Sequence, residues 1–436
     1  MPLVSPDEIA AIRSGLKTEG SFLTASIEVS FEPFDFARTG ATMVDRAVAF
    51  ANPDGHQLVG LGTAWHATGS GSTRFSAVSS EIAALPNELR VFIGYAFHDE
   101  VAASSMWADF TALDAFVPRI SISRTDGPAI LTVAVPNGER PEPTIELLAS
   151  MRRPSAIPVL DPGDHSIESI PDVASWAEAV EGAVKVIGAG ELDKVVLARS
   201  VRVTSTESVQ ILRVFRELAR SYPGCYTFAW KSHDSVFMGA SPELLVGVDA
   251  GQFTSNPLAG SAPRGAGSAE DEAFGDALVA SAKDQEEHRF VVDDIVDRLD
   301  GLVENLSTPS GPNLKKMATV QHLSTRIVGD AGDASPFDLV EALHPTPAVG
   351  GVPRIPAVSY IDDAEAFDRG WYTGGVGWVT AGGDAEIAIA LRCGLVTDAT
   401  THLFAGAGIV ADSVPADEVD ETRLKLRPLL DIVAAT

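Results

Sequence analysis

Apolar residues recur at helical spacing over 172–188, where Val173, Trp176, Val180, Val184 and Ile187 share one face and Gly188 and Gly190 close the segment. The pattern then changes to a strand in DKVVLARSVRV and returns to an amphipathic helix in SVQILRVFRELARS. CYTFAW, SVFMGAS and LLVGVDAGQFTS read as successive antiparallel strands joined by short turns, and 269–306 as one long helical stretch. Strands resume over 370–410, in WYTGGVGWVTA, AEIAIALRCGLVT and THLFAGAGIV. The chain closes on a helix from about 415, with Ser413 as N-cap and Pro415 in its first turn. Upstream, residues 1–150 mix strand-like runs (ILTVAVP, LRVFIGYAF) with turns such as ATGSGSTR, and the Pro-rich, polar stretch 152–171 reads as a connector. Strand runs alternating with long helices, without regular βαβ repetition, predict an α+β fold on antiparallel sheets.

Composition narrows the function classes. A chain of 436 residues can bury a large core, and 45% hydrophobic with 21% charged residues is ordinary for a soluble globular protein. The net charge of −28 argues against a nucleic-acid partner, which needs a basic face. Cys225 and Cys393, far apart, form neither a disulfide framework nor a zinc spacing, as expected of a reducing cytoplasm. The N-terminus lacks the basic region and apolar core of a signal peptide, and no apolar run reaches the ~18–20 residues that span a bilayer. A cytoplasmic protein without a membrane partner is expected. Were its substrate an anion, the site would have to supply local positive charge against the global field.

A few residues could carry chemistry. Glu287 lies mid-helix in SAKDQEEHRFVV, and Glu418, Glu421 and Lys425 follow at i, i+3 and i+7 along one stripe of the last helix. Stacked carboxylates repel unless a cation lies between them, and oxygen ligands on two helices suit Mg²⁺; a solvated acidic face with a Glu421–Lys425 surface pair is the plainer alternative. Lys194 shares a strand face with Val196 and Ala198, either as a buried general base or as an edge lysine that snorkels to water. Glu243, after a Ser-Pro turn, is a half-buried acid or a strand-end carboxylate facing water. Arg392, alone in an apolar strand, needs an anion, whether a substrate carboxylate or an internal salt bridge. NPLAGSAPRG, HPTPAVGG, GGVGW and GAGIV allow close backbone approach but match neither a dinucleotide fingerprint nor a P-loop.

Taken in order, KVVLARS, SPELL, NPLAGSAPRG, KDQEEH, VQHLS, LHPTPAVGG, RGWYTGGVGW, IALRC, AGAGIV and DEVDETRLK resemble the chorismate-utilising enzymes over roughly residues 172–433. The resemblance implies a large two-lobed antiparallel β-sheet core, a sandwich covered by helices. Residues 1–170 would be a divergent N-terminal half completing the fold, and 171–436 the chorismate-binding catalytic region. By position, Lys194 matches the base that activates water at C2 of chorismate, and Glu243 the acid that protonates the departing C4 hydroxyl. Glu287 and Glu421 match Mg²⁺ ligands, with Glu418 reaching the ion through water. Tyr372, Arg392, Lys425 and the backbone of Gly406 and Gly408 match the groups holding the substrate carboxylates, while Ser261 and His344 match pocket residues. A monomer is implied as well.

Within the family, Ala259 stands where one type of aminodeoxychorismate synthase has a nucleophilic lysine, and Lys194 where the ammonia-using anthranilate branch has glutamine. HPTPAVGG, with Ala348 in place of the threonine of salicylate-forming members, implies reversible isomerisation of chorismate to isochorismate, rather than isomerisation followed by pyruvate elimination. With every acid, base and metal position filled, an inactive chorismate-binding subunit is disfavoured.

Overall fold

The computed structural model describes residues 1–102, 105–154 and 164–435. Its described residues form two large antiparallel sheets and a small one. Half of the 13-stranded sheet comes from the N-terminal region; Arg46–Ala51 then pairs with Tyr226–Ser232, and the order continues through Ser235–Ser241, Cys393–Thr397, Thr400–Ile409, Lys194–Ser205 and His165–Ile170. The nine-stranded sheet runs from Glu304–Ser307 through Leu244–Asp249, Ala385–Ile389 and Gly375–Val379 to the N-terminal strands Val91–Tyr95, Leu113–Val117 and Trp65–Gly69. Residues 1–170 thus supply strands to both large sheets.

Aromatic side chains from the two sheets meet face to face. Phe116 of one packs edge-on against Trp230 of the other at 5.1 Å, and Trp230 and Phe110 each lie 5.0 Å from Trp371. A Cβ on Gly94 would collide with the Trp371 ring, so glycine is what admits it. Trp371 is fully buried, and Trp371→Ala is expected to cost about 3–5 kcal/mol in urea unfolding.

The elements depart from the sequence pattern where the chain changes sheet. The strands around 226–256 are consecutive, but Ser235–Ser241 belongs to the larger sheet and Leu244–Asp249 to the other, so the chain crosses at Pro242–Glu243. AEIAIALRCGLVT is two strands, one in each sheet, broken at Ala390–Arg392, and Arg392 takes a left-handed φ of 50°. The long helical stretch divides into Ser268–Ala280 and Ala282–Leu299, because the Ser281 hydroxyl accepts the Asp284 amide and starts a new helix. The final helix is Pro415–Val433 with Val414 as its cap residue; the Ser413 hydroxyl accepts the Val410 amide instead. The expected connector ends in the strand His165–Ile170, which pairs with Lys194–Ser205; its residues 155–163 lie outside the described ones. No described helix is long and apolar enough to cross a membrane.

Candidate active site

The two crossovers lie at one cavity that is partly open to solvent. A recess with a few convergent polar groups suits a small molecule. Its wall includes Glu243 and Arg392 from the crossovers, Ser261 and Ala259 from the small sheet, Ala348, Tyr372, Glu287 from a helix, and Glu421 and Lys425 from the last helix. Thr400–Ile409 pairs with Lys194–Ser205 so that Gly406 lies beside Ala198 and Gly408 beside Val196. A Cβ on Gly408 would collide with the Glu287 carboxylate and press on the Lys194 chain, so the bare backbone lets both side chains approach.

Lys194 is fully buried, which excludes snorkelling. It stands one layer behind the wall, with its Nζ 3.1 Å from Glu287. Glu243 is only 2% exposed, and burial pushes its carboxyl up to about 7, against the weaker opposing effects of the Leu258 amide and the charges of Lys194, Arg392 and Lys315. It does not face water. A carboxyl held near neutrality can give a proton at physiological pH.

On the last helix, Lys425 bonds Glu421 at 2.5 Å and donates to the Gly406 carbonyl at 3.0 Å. Burial alone would raise the Glu421 carboxyl, but Lys425 holds it below the usual range. This pair lines the cavity and is no solvated face. Glu418 turns away to Lys283 at 2.8 Å; burial first, then the Glu421 charge, raises its carboxyl. Asp284 is likewise raised by burial and then by the charges of Glu287 and Glu421.

His322, whose motif was noted above but whose side chain was given no task, is central. It is 4% exposed, and burial followed by the Arg392 and Lys425 charges pushes it down to about 3, so it is neutral. Its Nδ1 lies 2.9 Å from the Gly260 carbonyl and 3.1 Å from the Ser261 hydroxyl, and its Nε2 lies 3.1 Å from Arg392 Nη2. These partners assign the proton to Nδ1 and leave Nε2 to accept from Arg392, which aims the guanidinium. Period-two alternation in VQHLS places the histidine on one face of a strand; only the fold shows that this face meets Arg392. His344 stands off the wall. It is buried with Nε2 donating to the Phe97 carbonyl at 3.0 Å, at the base of the loop that carries Ala348.

Among the described residues, no three of His, Cys, Asp and Glu are gathered to hold a metal ion. Glu287 and Glu421 remain two carboxylates on two helices facing one cavity, a donor set that fits Mg²⁺ with its retained waters. The charge balance points the same way. With Glu243 protonated, Arg392 and Lys425 on the wall only match Glu287 and Glu421.

The family model for chorismate binding enzymes matches residues 10–434. The isochorismate synthase MenF of Bacillus subtilis is 37% identical over 346 residues, covering 78% of this chain and 74% of that one. The isochorismate synthase DhbC of the same organism is 40% identical over 275 residues, covering 61% and 69%. Among solved structures, the menaquinone-specific isochorismate synthase MenF of Escherichia coli superposes with a TM-score of 0.84 at 25% identity, covering 95% of this chain and 96% of that one.

Proposed function

The chain belongs to the chorismate binding enzymes, and we infer from its site that it is an isochorismate synthase, exchanging chorismate and isochorismate. The observation that carries the chemistry is the buried Glu243, held near neutrality at a cavity that also presents Arg392 and Lys425 to a dianion. Water adds at C2 and gives up a proton, the ring double bonds shift, and the C4 hydroxyl leaves as water after taking a proton. One water enters and one leaves, so the reaction is an isomerisation. We assign Glu243 as the acid that protonates the C4 oxygen and Lys194 as the base that accepts the proton from water. Arg392, aimed by His322, and Lys425 would orient the carboxylates, and the buried wall keeps stray water from the displaced ring.

Glu287 and Glu421 would hold Mg²⁺, which would offset the substrate charge and polarise its carboxylate. A cytoplasmic enzyme serving menaquinone or siderophore formation is the setting we propose, the first in keeping with the menaquinone-specific synthase of Escherichia coli that it resembles.

Product identity tests the reading. Ala348 lies on the cavity wall and offers no hydroxyl to pin the enolpyruvyl arm for elimination. Incubation with chorismate and Mg²⁺ should give a chorismate–isochorismate mixture, reached from either side, with no pyruvate in a lactate dehydrogenase-coupled assay. Stoichiometric pyruvate with salicylate fluorescence would establish salicylate synthesis instead.

A further inference from the structure

The strand Lys194–Ser205 has a continuous partner on one edge, but on the other its partners leave a gap. Gly351–Val352 pairs with Lys194 and Val195, and His165–Ile170 with Ser200–Ser205. Between them, side chains complete the ladder. Glu365 accepts the Ala198 amide at 2.7 Å, Arg369 donates to the Val196 carbonyl at 2.9 Å, and the Trp176 indole donates to the Ala198 carbonyl at 3.1 Å.

Arg369 is 1% exposed, and all five of its N–H groups are engaged. Two go to the Glu365 carboxylate, one to Val196, one to the Val349 carbonyl at 2.8 Å and one to the Thr373 hydroxyl at 3.4 Å. Its plane lies over Phe97, 4.4 Å from the ring centre. Val196, Val349 and Thr373 all line the cavity, on a strand, a loop and a turn far apart in sequence. Thr373 holds a left-handed φ of 61°, strained for a β-branched residue and persisting only where its surroundings fix it. With its charge met by Glu365, the guanidinium is not free to bind substrate.

We propose that Arg369, oriented by Glu365, is a positioning residue that ties the Lys194 strand, the Ala348–Val349 loop and the Tyr372–Thr373 turn into one rigid wall, and that turnover depends on this tie. The proposal rests on the isomerase reading for its kinetic consequence, and on geometry alone for its structural one. Lysine has three donors and no fork, so Arg369→Lys cannot serve five acceptors. A wall displaced by about 1 Å can cost ~10²-fold in rate.

The test is Arg369→Lys and Glu365→Gln, each followed by circular dichroism, hydrogen exchange resolved by segment, and steady-state kinetics. Expected are a native spectrum, faster exchange confined to 196–199, 346–350 and 372–374, and kcat at least tenfold lower with KM within threefold. A folded variant with kcat within threefold of wild type overturns the proposal, as does exchange that quickens uniformly while activity follows only the folded fraction. Should Arg369→Lys fail to fold, Glu365→Gln, which keeps an acceptor for Ala198, decides on the same criteria. If the wild type makes no isochorismate, the functional reading falls, and the exchange pattern still decides the tie.

Discussion

EDTA is expected to stop turnover of chorismate, and Mg²⁺ to restore it. Glu287 and Glu421 face the cavity from two helices, and Asp284 and Glu418 crowd close enough for burial and neighbouring charge to raise their carboxyls. Such crowding is relieved by a cation, and hard oxygen donors favour Mg²⁺. Lysines supply part of the relief, since Lys194, Lys425 and Lys283 hold Glu287, Glu421 and Glu418. They do not leave enough positive charge for a dianion, and that deficit is the physical case for a metal. Glu287→Ala and Glu421→Ala should each raise the Mg²⁺ concentration for half-activity at least tenfold, with native circular dichroism, and isothermal titration with Mg²⁺ alone should show the same weakening. Full activity after exhaustive chelation would remove the metal from the mechanism.

Much of the fold was legible because period and punctuation agree. Val173–Gly188 shows its helical stripe and a glycine stop, and Lys194–Ser205 its strand-forming run. Legibility failed at the sheet crossovers. Pro242–Glu243 and Ala390–Arg392 sit in apolar runs whose pattern is the same whether the next strand joins the same sheet or the other, because both faces are buried. These are the places where the site is built. Glu243 and Arg392 were picked out as polar residues in apolar surroundings, but their burial and their shared cavity follow from crossings that are long-range properties. His322, Arg369 and Glu365 escaped for a related reason. Their partners are backbone carbonyls, amides and side chains distant in the chain, and one sequence carries no local signal for those. The Ser281 break shows the opposite case, a capping serine in plain view that the helical periodicity on either side concealed.

Glu243→Gln is expected to lose 10²–10⁴-fold in kcat, the usual contribution of a positioned proton donor, and Lys194→Ala a similar factor as the base. The acid variant carries a second, opposite signature. Burial raises the Glu243 carboxyl from 4.5 to about 7. Between those values the folded state holds a proton that the unfolded state has released. The stability tied to this group is therefore full below about 4.5, declines as pH rises toward 7, and stays low above it. The shift corresponds to roughly 3 kcal/mol at about 1.36 kcal/mol per pH unit. Glutamine keeps the shape and never ionises, so Glu243→Gln should unfold at higher urea than wild type at pH 8 and at nearly equal urea at pH 4.5. Wild-type kcat should fall as pH rises through about 7, where the acid loses its proton. An inactive variant that is more stable only at alkaline pH identifies a buried acid kept for catalysis at a cost to the fold. A Glu243→Gln enzyme retaining a tenth of wild-type kcat would leave the proton donor to another group.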